Sequence, residues 1–184
     1  KEQWAKILVD ISKLYRESPQ KAEEFAQRLT EGIQNSELIT INTKEANFKY
    51  EDIITAINQS KEQLDTVYGG FTRSPKFPMP NTLDYLLRYQ YQFNDLKIKE
   101  YVKTSLTKMA YGGIYDQIGG GFSRYSVDDT WHVPHFEKML YDNAQLVSIY
   151  SKAYLHDKNT LYKNIVNETL AFVDEELAAK NGAF

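Results

Sequence analysis

The chain has 184 residues and a formal net charge of −3, from 22 Lys and Arg against 25 Asp and Glu. That length suits one hydrophobic core, the near-neutral balance lacks the basic surplus a nucleic-acid partner needs, and no apolar run approaches the ~18 residues of a membrane span. Cysteine is absent, which excludes disulfides, thiolate metal sites, a CxxC centre and a cysteine nucleophile from these residues.

The N-terminus, Lys1-Glu2-Gln3-Trp4, lacks a starting Met and opens inside a helical pattern, so it reads as the interior of a longer chain. Trp4, Ile7, Leu8, Ile11, Leu14 and Tyr15 repeat at helical spacing. Ser18-Pro19 ends that helix and starts a second, with Ser as N-cap and Pro at the first helical position. Ala22, Phe25, Ala26, Leu29 and Ile33 form the second stripe, and residues 35–49 read as a connector. A third helix is predicted from about Tyr50 to Tyr68, ended by Gly69-Gly70. The segment 69–80 is too rich in Gly and Pro for helix. Asn81 is expected to cap a helix carrying Leu83, Leu86 and Leu87. The next carries Ile98, Tyr101, Val102 and Met109 and stops at Gly112-Gly113.

Residues 112–134 read as irregular, with a short strand or small hairpin around Phe122–Val127. Pro134 is expected to open a long helix through about Tyr154. Asn159 or Asp157 would cap the last helix, which Asn181-Gly182 terminates. The fold class is therefore all-α: about seven helices in pairs, with a short β-hairpin or irregular Gly-rich insert. No βαβ alternation appears. Helix pairs with elaborate loops fit a bundle, a solenoid or an α/α toroid.

Fifteen of the 25 aromatic residues, seven of the nine Gly and four of the five Pro fall between Tyr68 and Tyr141. Candidate chemistry lies in the same stretch. His132, His135, Glu137, Asp142 and Asn143 crowd one segment. On a continuous helix, Glu137 and Asp142 would stand about 140° apart around the axis and could not form a carboxylate pair by themselves. Glu137 would equally serve as a charge at a helix N-terminus, and Asp142 and Asn143 could satisfy loop backbone groups. His132 and His135 lack a clear third ligand for zinc, so no metal or other cofactor is expected. The Gly112–Phe122 loop lacks the strand, Lys and Ser/Thr of a phosphate cradle. It reads either as a site-lining turn presenting Asp116 and Gln117, followed by a ribbon bearing Arg124 and Tyr125, or as a tight connection. Lys76, between prolines, could reach into a cleft or belong to a strap over helix ends. A mid-chain pool of Tyr, Phe, Trp131, Asp, Arg and His has the character of a sugar site and equally that of an aromatic core.

Three runs in order are familiar: Gly69-Gly70-Phe71 with Pro75-Lys76-Phe77-Pro78; Gly112 to Asp128; and Trp131 with Val133 to Ala144. Over about residues 65–184 the chain resembles the spermatogenesis-associated protein 20-like family, and Asn181 to Phe184 looks like the start of that family's next motif. The resemblance implies a thioredoxin-like domain followed by an α/α toroid of the six-hairpin glycosidase type. Residues 1–48 would then be linker helices and 49–184 the N-terminal part of the toroid, without the thioredoxin active site. A toroid of this kind implies a sugar or polyol ligand and isomerase- or hydrolase-type chemistry, with this stretch alone inactive. In that reading His135, Glu137 and Asp142 are catalytic, and Asp116, Gln117, Arg124, Tyr125, Trp131 and Lys76 line the cleft. The alternative is a non-catalytic helical scaffold or interaction module for a redox or chaperone partner domain. Apolar faces meant for absent hairpins would favour self-association. The expected location is cytoplasmic.

Overall fold

The computed structural model describes residues 2–37 and 47–183, together with Thr43 and Glu45. Residues 38–42, 44 and 46 of the expected connector at 35–49, and Phe184 of the last motif, lie outside the described residues. Among those described, the chain holds seven α-helices and no sheet, and it divides into two compact units, Lys1–Phe48 and Lys49–Phe184. No described helix is long and apolar enough to cross a membrane.

The first unit is a hairpin of α1 (Glu2–Glu17) and α2 (Pro19–Glu37), which pack on each other. Pro19 occupies the first helical position as its fixed φ favours, and Ser18 O accepts the first helical N–H bonds. No α1 side chain is buried. Leu8, Ile11, Leu14, Phe25 and Leu29 instead line an open groove of about 730 Å³.

The second unit is built on α4 (Pro80–Phe93), α5 (Leu96–Tyr111), α6 (Leu140–Asp157) and α7 (Thr160–Phe172). α4 packs on α5 and α6, and α7 packs on the same two, so the four helices enclose one core. Leu83, Leu86, Leu106, Met109, Leu146, Ile149 and Ile165 fill it. Tyr150 lies between Phe122 and Tyr162 and donates its hydroxyl to Leu106 O at 2.6 Å. Asp95 caps α5 by accepting from Lys97 N and Ile98 N, and Asn159, rather than Asp157, caps α7 through Leu161 N.

Four boundaries differ from the sequence reading. α3 (Tyr50–Ser60) ends eight residues before Tyr68, passing through a 3₁₀ turn (Lys61–Gln63). Leu64 is then extended and pairs with Phe71, so Gly69-Gly70 closes a loop instead of capping a helix. Gly69, at φ 74°, is required there, since a Cβ would sit 2.3 Å from Ser105 Cα. Asn81 is the second residue of α4, whose N-cap is Met79. The third difference bears on the site: α6 begins at Leu140, not at Pro134. Residues 133–137 are drawn out by pairing with the ribbon, through Val127 N to Val133 O, His135 N to Tyr125 O and Arg124 N to Glu137 O. A segment whose backbone is bonded to another segment cannot also close i→i−4 helical bonds. Finally, α7 passes at Val173 into a π turn that ends at Leu177, ahead of Asn181-Gly182.

Candidate functional site

Three extended segments meet beside the helices. Lys76 bridges to Ser126, and Ser126 bridges to Pro134. No strand forms; the contacts are isolated rungs. Their outward side chains make one row. Phe77 packs on Tyr125 with ring centres 4.8 Å apart, and Tyr125 stacks on His135 at 4.6 Å. Both faces of Tyr125 are thereby covered, and the outer face of exposed His135 terminates the stack.

Arg124 and Glu137 form an ion pair at 3.6 Å, with both side chains about half exposed. Asp142, in the first turn of α6, lies within reach of the Arg124 charge. Burial pushes its carboxyl up from the usual carboxylate range, and Arg124 only partly offsets this. Its Oδ2 is buried and has no hydrogen-bond partner. With α6 starting late, the constraint of a shared helix between Glu137 and Asp142 disappears: Arg124 relates the two carboxylates from the ribbon. The structure thus relates Arg124, Glu137 and Asp142 to one another and, on the same ribbon, stacks Tyr125 on His135.

The other sequence candidates are committed elsewhere. Trp131 is wholly buried at a left-handed φ of 67°, and its indole donates to Tyr68 O at 2.8 Å. It belongs to the core and not to a cleft wall. Lys76 is buried too: its ammonium donates to Asp65 Oδ2 at 2.7 Å and Gly69 O at 2.9 Å, under the Trp131 ring. Burial would raise the Asp65 carboxyl, but Lys76 and the N–H groups of Tyr68 and Val67 outweigh it and hold the group low. Asp116 accepts from Lys138 Nζ at 2.7 Å and from the N–H groups of Gly119 and Ile118, which bring its pKa down to about 2. Gln117 donates to Ala110 O and Gly112 O, closing the C-terminus of α5.

Two further side chains do much of this positioning: Asn143, already expected to satisfy loop backbone groups, and Asp128, which the sequence did not single out. Asn143 bonds both the N–H and the C=O of Phe122. Asp128 accepts from Ser126, Thr130, His132 and Val133, fixing the turn between the two ribbon segments. Phe77 stands in the Pro-rich segment beside Lys76, and Asp65 precedes that segment with no local signal of its pairing to Lys76. Among the described residues no group of three or more His, Asp or Glu is placed to hold a metal ion.

An all-α protein of paired helices, with a polar and aromatic ribbon between its second and third core helices, is the class these observations define. No family model matches the chain. Comparison with known proteins gives 33% identity to spermatogenesis-associated protein 20 of Homo sapiens over 186 aligned positions, covering 97% of this chain and 23% of that protein. The Mus musculus protein of the same name is 39% identical over 130 positions, covering 68% of this chain and 16% of its own length. An uncharacterized protein of Caenorhabditis elegans is 34% identical over 182 positions, covering 95% and 24% respectively. The chain belongs to the spermatogenesis-associated protein 20 family, and it spans about a quarter or less of the length of these relatives.

Proposed function

We propose that the chain carries part of a binding face for a sugar or related polyol, formed by Arg124, Tyr125, His135, Glu137 and Asp142. The observation that carries this reading is the buried, unpartnered Oδ2 of Asp142 beside the Arg124–Glu137 pair. A buried carboxylate oxygen with no partner is unfavourable in isolation, and a ligand hydroxyl would relieve it. Arg124 supplies donors, Glu137 supplies acceptors and the exposed His135 ring offers both, which is the chemistry a polyol requires. In this reading His135 is the general acid/base and Asp142, with its raised pKa, shares its proton. The face belongs to a six-hairpin, glycosidase-like α/α toroid that begins near residue 49, is joined through linker helices to a thioredoxin-like domain, and is completed by chain beyond these residues. Trp131 and Lys76 are buried and do not line the face, while Asp116 and Gln117 are committed to Lys138 and to the end of α5.

Titration calorimetry of the full-length protein against neutral hexoses, pentoses and polyols tests the reading. Binding to at least one class is expected, weakened at least tenfold by Asp142→Asn. No binding across the panel, or binding indifferent to both Asp142→Asn and His135→Ala, overturns it.

A second reading is favoured by a different observation: Lys76, Trp131, Gln117, Asp128 and Asn143 all satisfy internal backbone groups. On that view the motif residues maintain a non-catalytic helical scaffold for a redox or chaperone domain. The open groove of α1 and α2 would then serve association, including self-association. Light scattering that shows a monomer at all concentrations counts against that association.

A further inference from the structure

The Lys76 side chain is completely shielded from solvent, although an apolar side chain of similar volume would fill the slot without desolvating a charge. What the charge adds is a unique address. Its pocket contains one carboxylate and one carbonyl positioned for an ammonium, with the Trp131 ring above, 5.3 Å away. The residue is also a rung. Lys76 N donates to Ser126 O at 2.8 Å and Ser126 N donates to Lys76 O at 2.9 Å. Side chains alternate along an extended segment, so Lys76 pointing in requires Phe77 to point out, where it meets Tyr125. A one-residue slip would carry Phe77 inward and expose Lys76, breaking the aromatic row and the ion pair together.

We propose that the Asp65–Lys76 pair is a register lock that holds the Phe77–Tyr125–His135 row in place. Asp65 and Lys76 are positioning residues for the face and touch no ligand. The inference rests on the binding-face reading only in treating this row as part of a site. The experiment reads the row directly, so a failure to bind sugars and a failure of the lock are separately visible.

The test is carbethoxylation of histidines in the intact protein, followed by peptide mass spectrometry. The main variant is the double substitution Asp65→Asn with Lys76→Met, which leaves no unpaired buried charge. Tyr125→Leu gives the rate for an uncovered His135. His156, exposed in the last turn of α6 and tilted against Tyr91 of α4 5.4 Å away, serves as an internal control on the helices away from the ribbon. The double variant is expected to melt cooperatively, to modify His135 several-fold faster than the parent and close to the Tyr125→Leu rate, and to leave the His156 rate unchanged. An unaltered His135 rate in a cooperatively melting variant overturns the proposal. So does a parallel rise at His135 and His156, or loss of cooperative melting, because the pair would then be an element of overall stability rather than of register.

Discussion

In the α1–α2 hairpin, Leu8, Val9, Ile11 and Phe25 each leave more than half of their surface open, whereas Leu106, Met109, Trp131 and Tyr150 of the larger unit leave none. Both regions show apolar residues at helical spacing, and both fold as helices. The difference lies in what covers the stripe. Four mutually packed helices close a core, whereas two helices can cover only the seam between them. Helical periodicity therefore reports which face seeks burial, and burial itself depends on the number of neighbours.

Substitutions can break that comparison in graded steps. The largest effect is expected from Trp131→Ala, which removes a fully buried indole and its bond to Tyr68 O. A loss of about 3–5 kcal/mol should appear in urea unfolding followed by circular dichroism. Asn143→Ala strands the N–H and C=O of Phe122 and should cost about 2–3 kcal/mol by the same measurement. Acid sensitivity comes next. The folded Asp116 has a pKa of about 2, below its unfolded value of ~3.9, so its contribution is present above the unfolded value and disappears as pH falls toward 2. Thermal melts between pH 2 and 6 should show a shallower acid loss in Lys138→Gln than in the parent. Asp142 has the opposite sign: its raised folded pKa favours the fold at low pH, and that benefit is lost as pH rises through the raised value. Asp142→Asn should therefore raise stability at pH 7 by less than about 1 kcal/mol, with the gain vanishing in acid. The smallest effect is expected in the hairpin, where Phe25→Ser should leave the unfolding of the larger unit within about 0.5 kcal/mol. A shift as large as that of Trp131→Ala would show that the exposed stripe has a partner.

The helices α4 and α5 were legible because their stripes and stop signals are local. Leu83, Leu86 and Leu87, or Ile98, Val102 and Met109, need only a 3.6-residue period, and Gly112 ends α5 where expected. The start of α6 was not legible. Pro134 is favourable at a helix N-terminus, but pairing of 133–137 with a ribbon about ten residues earlier decides its conformation, and that pairing has no local signature. The candidate site divides in the same way. Arg124 relates Glu137 to Asp142 from the ribbon, and Tyr125 stacks on His135, contacts that no single helix would provide. Trp131 and Lys76 lie inside because their partners, Tyr68 O and Asp65, come from distant positions.

The Asn143 side chain presents its carboxamide to Phe122 as a neighbouring peptide unit would, accepting from the N–H at 2.7 Å and donating to the C=O at 3.0 Å. One helical residue thus acts as a surrogate strand for the loop. The Phe122 amide thus depends on a single side chain for its hydrogen bond. The outer turn from Gln117 to Gly119 is tied separately, through Gln117 to the end of α5 and through its N–H groups to Asp116, so the loop is pinned at both its tip and its return.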